Sequence, residues 1–208
     1  MPFKDKHNMI LCDIFPTAIA INQIKIDQLE LNLLLALADD TANFVKNKNN
    51  VFHNDVYLLD KLPKLAKDIS NCIDDYTLNV LGEDASLHYT QSWLNINTPG
   101  ASHHKHSHVN SIISGVLYLQ TTETSGKFLV HRQDTRTVKN KTKNFNKFNV
   151  EYLFFEPKPF ELYLFPSSLE HSVEENKSNE NRISLSFNTF YHGTINATDS
   201  RLTELKIN

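Results

Sequence analysis

The 208-residue chain has little of what several common protein classes need. Its two cysteines, Cys12 and Cys72, are too few for a disulfide framework. No apolar run reaches the roughly 18–20 residues of a membrane-spanning helix, and the first residues lack the apolar segment of a signal peptide. Lysine and arginine number 21 against 24 acidic residues, a net charge of −3, which argues against a basic nucleic-acid binder. These absences predict a cytoplasmic protein that binds neither membrane nor nucleic acid.

Hydrophobic residues make up 40% of the chain and aromatic residues 10%, enough to bury a sizeable core. Apolar residues at helical spacing dominate the first part of the sequence. The predicted elements there are an extended segment at 9–21, helices at about 25–46 and 61–82, and a loop at 47–54 between the helices. Asp27 is a candidate N-cap for the first helix, and Gly82 is a natural end for the second.

After Gly82 the periodicity changes to short alternating runs separated by turn residues, which indicates antiparallel strands. The predicted strands are 87–96, 112–120, 127–132, 150–156, 160–165 and 182–191. The polar, basic stretch 135–149 is predicted to be a long surface loop that serves as a lid.

We therefore expect an α+β domain that is mostly β, a sandwich or barrel with the helices packed outside. The domain is predicted to be single, over 1–208. Its parts are a supporting N-terminal strand and helices at 1–82, the β core at 83–194 and a C-terminal tail at 195–208.

Ten histidines are present, and they are unevenly distributed. His106 and His108 are two residues apart, so on a strand both imidazoles would lie on one face. Two neutral imidazoles on one face suit a single transition metal, and most such sites need a third ligand. His171, just after the strand predicted at 160–165, is the best candidate. His103 and His104 are interpreted as flanking surface residues.

The segment 182–188 alternates cleanly between apolar and polar residues. Its polar face carries Arg182, Ser184, Ser186 and Asn188. If this face lines the interior of a barrel, a buried Arg182 needs an anionic partner, and a ligand carboxylate held by both arms of the guanidinium would provide one.

Three blocks of the sequence together resemble a known family. They are His-x-His-x-Asn-Ser-x-x-Ser-Gly-Val-x-Tyr-Leu at 106–119, Phe-Pro-Ser-x-Leu-x-His-x-Val at 165–173 and Arg-Ile-Ser-x-Ser-Phe-Asn at 182–188. In order and spacing they are similar to the 2-oxoglutarate/Fe(II)-dependent oxygenases of the prolyl-hydroxylase-like superfamily, within a His-x-His…His subfamily. The resemblance implies a double-stranded β-helix (jelly-roll, cupin-like) core.

The resemblance also implies an activity and its cofactors. A dioxygenase would hydroxylate a C–H bond of its substrate and release succinate and CO2, using Fe(II), 2-oxoglutarate and O2, with ascorbate as a reductant. His106, His108 and His171 would hold the iron. Arg182, with Ser184 or Tyr118, would hold the far carboxylate of 2-oxoglutarate. Further candidates for substrate contact or for support of the ligands are Asn110, Trp93, Ser114 and Asn188.

One position departs from the usual pattern of the superfamily, which is His-x-Asp/Glu…His. This chain has His108 where the carboxylate stands. Either all three ligands are histidines, which we prefer because the subfamily motif has histidine there, or Glu170 or Asp134 replaces one of them.

The sequence also allows two other kinds of protein. A cupin-type metalloprotein would also use His-x-His and a distal histidine, but it would need no 2-oxoglutarate and no Arg-x-Ser. A non-catalytic jelly-roll binding module would have its histidines by coincidence. The sequence predicts a prime substrate only as broadly as a small molecule or a protein side chain. It is compatible with a homodimer.

Overall fold

The computed structural model describes residues 12–47, 50–133, 140–196 and 203–207. These residues contain two α-helices, α1 (Gln28–Asp39) and α2 (Pro63–Tyr76), with 3-10 turns at Thr41–Asn43 and Leu58–Lys61 and a π-helical turn at Thr77–Leu81. The strands are β1 (Ala20–Gln23), β2 (Phe44–Asn47), β3 (Asn50–His53), β4 (Leu87–Asn97), β5 (His103–His106), β6 (Ile113–Gln120), β7 (Phe128–His131), β8 (Tyr152–Phe155), β9 (Glu161–Pro166), β10 (His171–Val173), β11 (Arg182–Tyr191), β12 (Gly193–Ile195) and β13 (Leu205–Ile207).

The ends of the two helices follow local chemistry. The Asp27 carboxylate accepts a hydrogen bond from the Leu29 N–H at 3.1 Å and caps α1, as predicted. The first helix is shorter than expected, because it ends at Asp39 and the chain then turns into β2. The second helical segment ends at Gly82, whose φ of 72° is the left-handed conformation that terminates helices.

The prediction of a loop at 47–54 is wrong. β2 and β3 form an antiparallel hairpin in which Phe44 pairs with His53, and β3 extends the sheet by pairing with β4. The segment predicted as extended from residue 9 becomes a strand only at Ala20, where β1 pairs with β9, and residues 9–11 lie outside the described part. Both errors concern strands near the two ends of the larger sheet, whose identity depends on the partner strand rather than on their own sequence pattern.

The six strands predicted after Gly82 are confirmed to within two residues at each end. Together with β1, β2, β3, β5 and β10, they form two sheets in which every pair of neighbouring strands in the described part of the chain is antiparallel. The larger has the order β1-β9-β6-β11-β4-β3-β2 and the smaller β5-β10-β7-β8. Strands β5 and β10 were not predicted, because they are short and lack alternating apolar residues. Of the predicted loop 135–149, residues 140–149 contain neither helix nor strand and 134–139 lie outside the described residues.

Alternation along the strands of the larger sheet separates two apolar clusters. On one face, Leu94, Leu117 and Leu185 pack with Leu34 of α1 and Ile69 of α2. On the other face, residues such as Tyr118, Tyr163 and Phe165 pack with Phe128 of the smaller sheet. The helices therefore cover the outside of the larger sheet, and the two sheets face each other as a double-stranded β-helix.

Two features bear on the setting of the protein. Within the described residues, neither helix is long and apolar enough to cross a membrane. Cys12 and Cys72 are both free thiols.

Candidate active site

A cavity lies between the two sheets. Strands β4, β6 and β11 line it from the larger sheet, and strands β5, β7 and β10 line it from the smaller one. Three predicted histidines lie at one end, which we call the histidine end (His106, His108 and His171). Arg182 and Asn97 lie together elsewhere on the wall, at what we call the arginine end.

The three histidines converge on one point. His171 on β10 is paired in register with His106 on β5, and the two rings are 4.3 Å apart. One ligand nitrogen from each of His106, His108 and His171 lies within 4.8 Å of the others. The Nε2 atoms of His108 and His171 are 3.4 Å apart, close to the roughly 3.0–3.4 Å expected for two imidazole nitrogens on one metal at about 2.1 Å.

Backbone carbonyls fix the tautomers of two of these rings. The His106 Nδ1–H donates to the His104 carbonyl at 2.8 Å, and the His171 Nδ1–H donates to the Leu169 carbonyl at 2.9 Å. Each carbonyl can only accept, so in the neutral ring Nε2 carries a free lone pair. Such a hydrogen bond to the remote nitrogen is typical of metal-binding histidines. The donor set therefore fits a divalent transition metal.

His108 does not lie on a strand, which corrects the argument that placed it beside His106. Strand β5 ends at His106, and the His108 N–H donates to the Ser167 carbonyl at 2.9 Å in the following loop. Asn110 then takes a left-handed conformation with φ of 54° and is exposed rather than lining the cavity. Tertiary contact, and not strand alternation, brings His108 to the other two histidines.

Burial keeps the histidines neutral. It is the main cause that lowers the pKa of His171 to about 3 and the pKa of His108 to about 4, and neighbouring histidines add to both effects. The pKa of His106 is also lowered, mainly by burial. Neutral imidazole is the form that binds metal, so all three are ready to do so at neutral pH.

His103 was expected on the surface, but it does not lie there. It lines the cavity, and its ring stacks on that of His106 with centroids 4.4 Å apart. His104 is exposed, as expected. His103, His104 and His106 form a second group of close ligand atoms, with His106 common to both groups.

Of the two carboxylates considered as replacement ligands, Glu170 does not belong to the group formed by His106, His108 and His171. Glu170 forms an ion pair with Lys105, with Oε2 and Nζ 3.0 Å apart. Asp134 lies outside the described residues.

Arg182 is buried at the arginine end, with 3% of its surface exposed. Its Nη2 donates to Asn97 Oδ1 at 3.1 Å and its Nη1 to the Gly126 carbonyl at 3.5 Å. Its Nε has no hydrogen-bond partner, and no carboxylate of the described residues lies within 4.0 Å of the guanidinium. A buried charge without a counter-ion costs several kcal/mol, so this end fits an anionic ligand.

Register across the larger sheet places the other predicted cosubstrate residues near Arg182. Ser184 on β11 is paired with Tyr118 on β6, and both side chains are buried on the cavity wall. Burial raises the pKa of Tyr118, with Arg182 opposing the shift, so the phenol stays protonated and is a hydrogen-bond donor.

Trp93 lines the cavity near the histidine end, with its ring 6.2 Å from that of His108. Its Nε1–H donates to Asn95 Oδ1 at 3.1 Å, and Asn95 Nδ2 donates to Ser186 Oγ at 2.8 Å. Asn95 and Asn97 were not singled out from the sequence. Strand alternation could have identified them, because residues 93, 95 and 97 share one face of β4.

Ser114 and Asn188 are buried but are not among the residues that line the cavity. The Ser114 hydroxyl donates to Asn188 Oδ1 at 2.8 Å and is 2.8 Å from Ser167 Oγ. Since the Ser167 carbonyl accepts from His108 N–H, this network supports the loop that carries His108.

Comparison with known proteins identifies the family. Residues 91–188, which contain all three sequence blocks, match the family described as "Putative 2OG-Fe(II) oxygenase". The chain belongs to the 2-oxoglutarate/Fe(II) oxygenases. It is an enzyme that uses Fe(II), 2-oxoglutarate and O2, and the cupin and binding-module alternatives fall away. No curated protein matches the whole sequence significantly.

Solved structures share the fold of this oxygenase at low identity. An oxidoreductase of the 2OG-Fe(II) oxygenase family from Burkholderia pseudomallei has 14% identity and a TM-score of 0.60, covering 82% of this chain and 83% of that one. A Pseudomonas putida prolyl-4-hydroxylase has 14% identity and a TM-score of 0.52, covering 84% and 92%. EctD from S. alaskensis, solved with 2-oxoglutarate and 5-hydroxyectoine, has 15% identity and a TM-score of 0.56, covering 83% and 72%.

Proposed function

We propose that His106, His108 and His171 hold the iron of this oxygenase. The observation that carries the proposal is the convergence of their nitrogens, with the Nε2 lone pairs of His106 and His171 freed by backbone carbonyls. Three ligands leave positions open for a cosubstrate. With histidine in place of the usual carboxylate, the protein contributes no negative charge to the iron.

For 2-oxoglutarate, the proposed receptor is Arg182 with Ser184 and Tyr118. Support comes from the buried guanidinium without a carboxylate among the described residues and from the register that sets Ser184 beside Tyr118. The guanidinium can bind a carboxylate through two parallel hydrogen bonds, and a hydroxyl from Ser184 or Tyr118 can supply a further one.

Iron and 2-oxoglutarate, when bound, supply the oxidising chemistry with O2, in which the keto acid becomes succinate and CO2. The chain's own residues bind, orient and shield the reactants. Arg182 orients 2-oxoglutarate along the cavity toward the histidines, and the neutral imidazoles hold the metal without competing protons. Val116, Phe128 and Phe165 give the cavity an apolar lining, which would keep water away from the reacting groups.

The reaction we propose is hydroxylation of a C–H bond on a small molecule or a protein side chain. Trp93 is the candidate for substrate contact, because it lines the cavity beside His108. Ser114 and Asn188 would act through the His108 loop, and Asn110, exposed beyond His108, would act only at the rim of the site. A single domain, a cytoplasmic location and a homodimer remain part of the proposal.

The test is an anaerobic titration of the metal-free protein, first with Fe(II) and then with 2-oxoglutarate. We expect one Fe(II) per chain, followed by the iron–keto-acid charge-transfer band as 2-oxoglutarate binds. Succinate formation on admission of O2 with ascorbate would be the activity readout. Failure of the iron-loaded protein to bind 2-oxoglutarate would overturn the site assignment.

A further inference from the structure

Asn97 is a buried residue at the arginine end that the proposed function leaves without a role. It is the last residue of β4, pairs in register with Arg182 on β11, and lines the cavity with 2% of its surface exposed. Its backbone carbonyl accepts a hydrogen bond from Asn176 Nδ2 at 2.8 Å. Asn176 is itself buried, so the main chain of Asn97 is held firmly in place.

The orientation of the Asn97 amide follows from chemistry. A guanidinium can only donate hydrogen bonds, so the amide atom 3.1 Å from Arg182 Nη2 must be the oxygen, Oδ1. The amide nitrogen Nδ2 then faces away from the guanidinium, and it has no hydrogen-bond partner among the described residues.

Arg182 has an N–H group in the same condition, since its Nε is buried without a partner in the described part of the chain. Two buried donors on paired residues of adjacent strands are therefore unsatisfied at one place. Buried donors without acceptors are rare in folded proteins. A carboxylate has two acceptor oxygens in one plane, and it is the group best able to accept from both donors.

We propose that Asn97 is a cosubstrate-binding residue, whose Nδ2 donates to the remote carboxylate of 2-oxoglutarate next to Arg182. The inference rests on the proposed function and adds a residue to it. Asn97 has two tasks, because its oxygen holds the guanidinium in position while its nitrogen contacts the ligand. Asparagine suits both tasks since, unlike aspartate, it leaves the positive charge of Arg182 available to the ligand.

The experiment compares two keto acids on the iron-loaded protein without O2. One is 2-oxoglutarate, and the other is 2-oxopentanoate, which has a methyl group in place of the remote carboxylate. Asn97→Ala should weaken 2-oxoglutarate binding about 10- to 100-fold, because one hydrogen bond to a charged group is lost. It should leave the affinity for 2-oxopentanoate within about 2-fold and iron binding unchanged.

Asn97→Asp is the second variant, nearly identical in shape and thus suited to preserve the fold. Its carboxylate should pair with Arg182 and weaken 2-oxoglutarate binding about 100-fold or more, again without loss of iron. Gln91→Ala, exposed on the same strand, is the matched control and should bind both keto acids as the parent does.

Two results would overturn the inference while the proposed function stands. One is an Asn97→Ala protein that binds 2-oxoglutarate as tightly as the parent. The other is an equal loss for both keto acids, which would show that Asn97 only maintains the shape of the cavity. If the parent itself fails to bind 2-oxoglutarate, the proposed function is wrong and the inference falls with it.

Discussion

The two ends of the cavity are built in different ways. At the histidine end, two of the proposed iron ligands lie on the three- and four-residue strands β10 and β5 of the smaller sheet, and the third lies in a loop. At the arginine end, Arg182 and Asn97 lie on the ten- and eleven-residue strands β11 and β4 of the larger sheet. Short elements need local contacts to position a side chain, whereas long paired strands position side chains by register.

The hydrogen bonds of each end reflect this difference. His106 and His171 each donate Nδ1–H to the carbonyl two residues earlier in the chain, so the orientation of each ring is a local property. Arg182 instead contacts Asn97 and Gly126, 85 and 56 residues away. The two ends should therefore fail independently when residues are substituted, one through the metal and the other through the cosubstrate.

The largest expected effect is the loss of iron at the histidine end. His171→Ala removes the most buried of the three proposed ligands, and we expect iron affinity to fall by at least about 100-fold, beyond the cost of losing a residue that only supports a ligand. Isothermal titration with Fe(II) under anaerobic conditions measures it. His192→Ala, an exposed histidine outside the cluster, is the control. Full iron binding by His171→Ala would place the metal elsewhere.

The next effect breaks only the arginine end. Arg182→Ala removes hydrogen bonds to a charged ligand worth about 2–4 kcal/mol together, so 2-oxoglutarate affinity should fall about 30- to 1000-fold. The 2-oxoglutarate affinity of Arg182→Lys should lie between those of the parent and Arg182→Ala, because an ammonium group cannot reproduce the planar fork of the guanidinium. Iron affinity should stay near that of the parent. The control is Lys67→Ala on the exposed side of α2, and unchanged 2-oxoglutarate binding by Arg182→Ala contradicts the comparison.

Acid should lower the folding stability of the metal-free protein through the histidines at the histidine end. His108 and His171 have folded-state pKa values of about 4 and about 3, below the ordinary value of about 6.5. Between those limits the unfolded chain binds more protons than the folded one, so stability falls as pH drops from about 6.5 towards 4.

Thermal unfolding at pH 7 and pH 5 measures this dependence. The melting temperature should be lower at pH 5, and the decrease should be smaller in His171→Gln, which lacks one of the titrating rings. Equal decreases in parent and variant would show that other groups cause the pH dependence.

The smallest expected effect tests how the hydrogen-bond network of Ser114 supports the His108 loop. Ser114→Ala removes the hydroxyl between Asn188 and Ser167 and should cost about 1–2 kcal/mol of stability. Iron affinity should fall only a few-fold, since the Ser167 carbonyl still accepts from His108 N–H. Ser168→Ala, an exposed serine beside this network, is the control. An iron affinity as low as that of His171→Ala would mean that Ser114 itself is needed at the metal.

Much of this molecule was determined by local sequence. Alternating residues predicted the long strands, including β11 at its observed bounds, because one side of each strand is buried against the helices and the other lines the cavity. The same alternation placed Arg182 and Ser184 on one face. The His-x-His pair and distal His171 marked the metal-binding chemistry, because neutral imidazoles in such numbers have few other uses in a buried cavity.

Only the tertiary structure decided which residues meet. His108 reaches the cluster from a loop held by Ser167. Strands β5 and β10 exist because they pair with each other and because β10 also pairs with β7. Asn97 gained its place beside Arg182 from a strand register that joins residues 85 positions apart. Periodicity reports which face of a strand is buried, but the partner of that face depends on contacts distant in sequence, which no local pattern encodes.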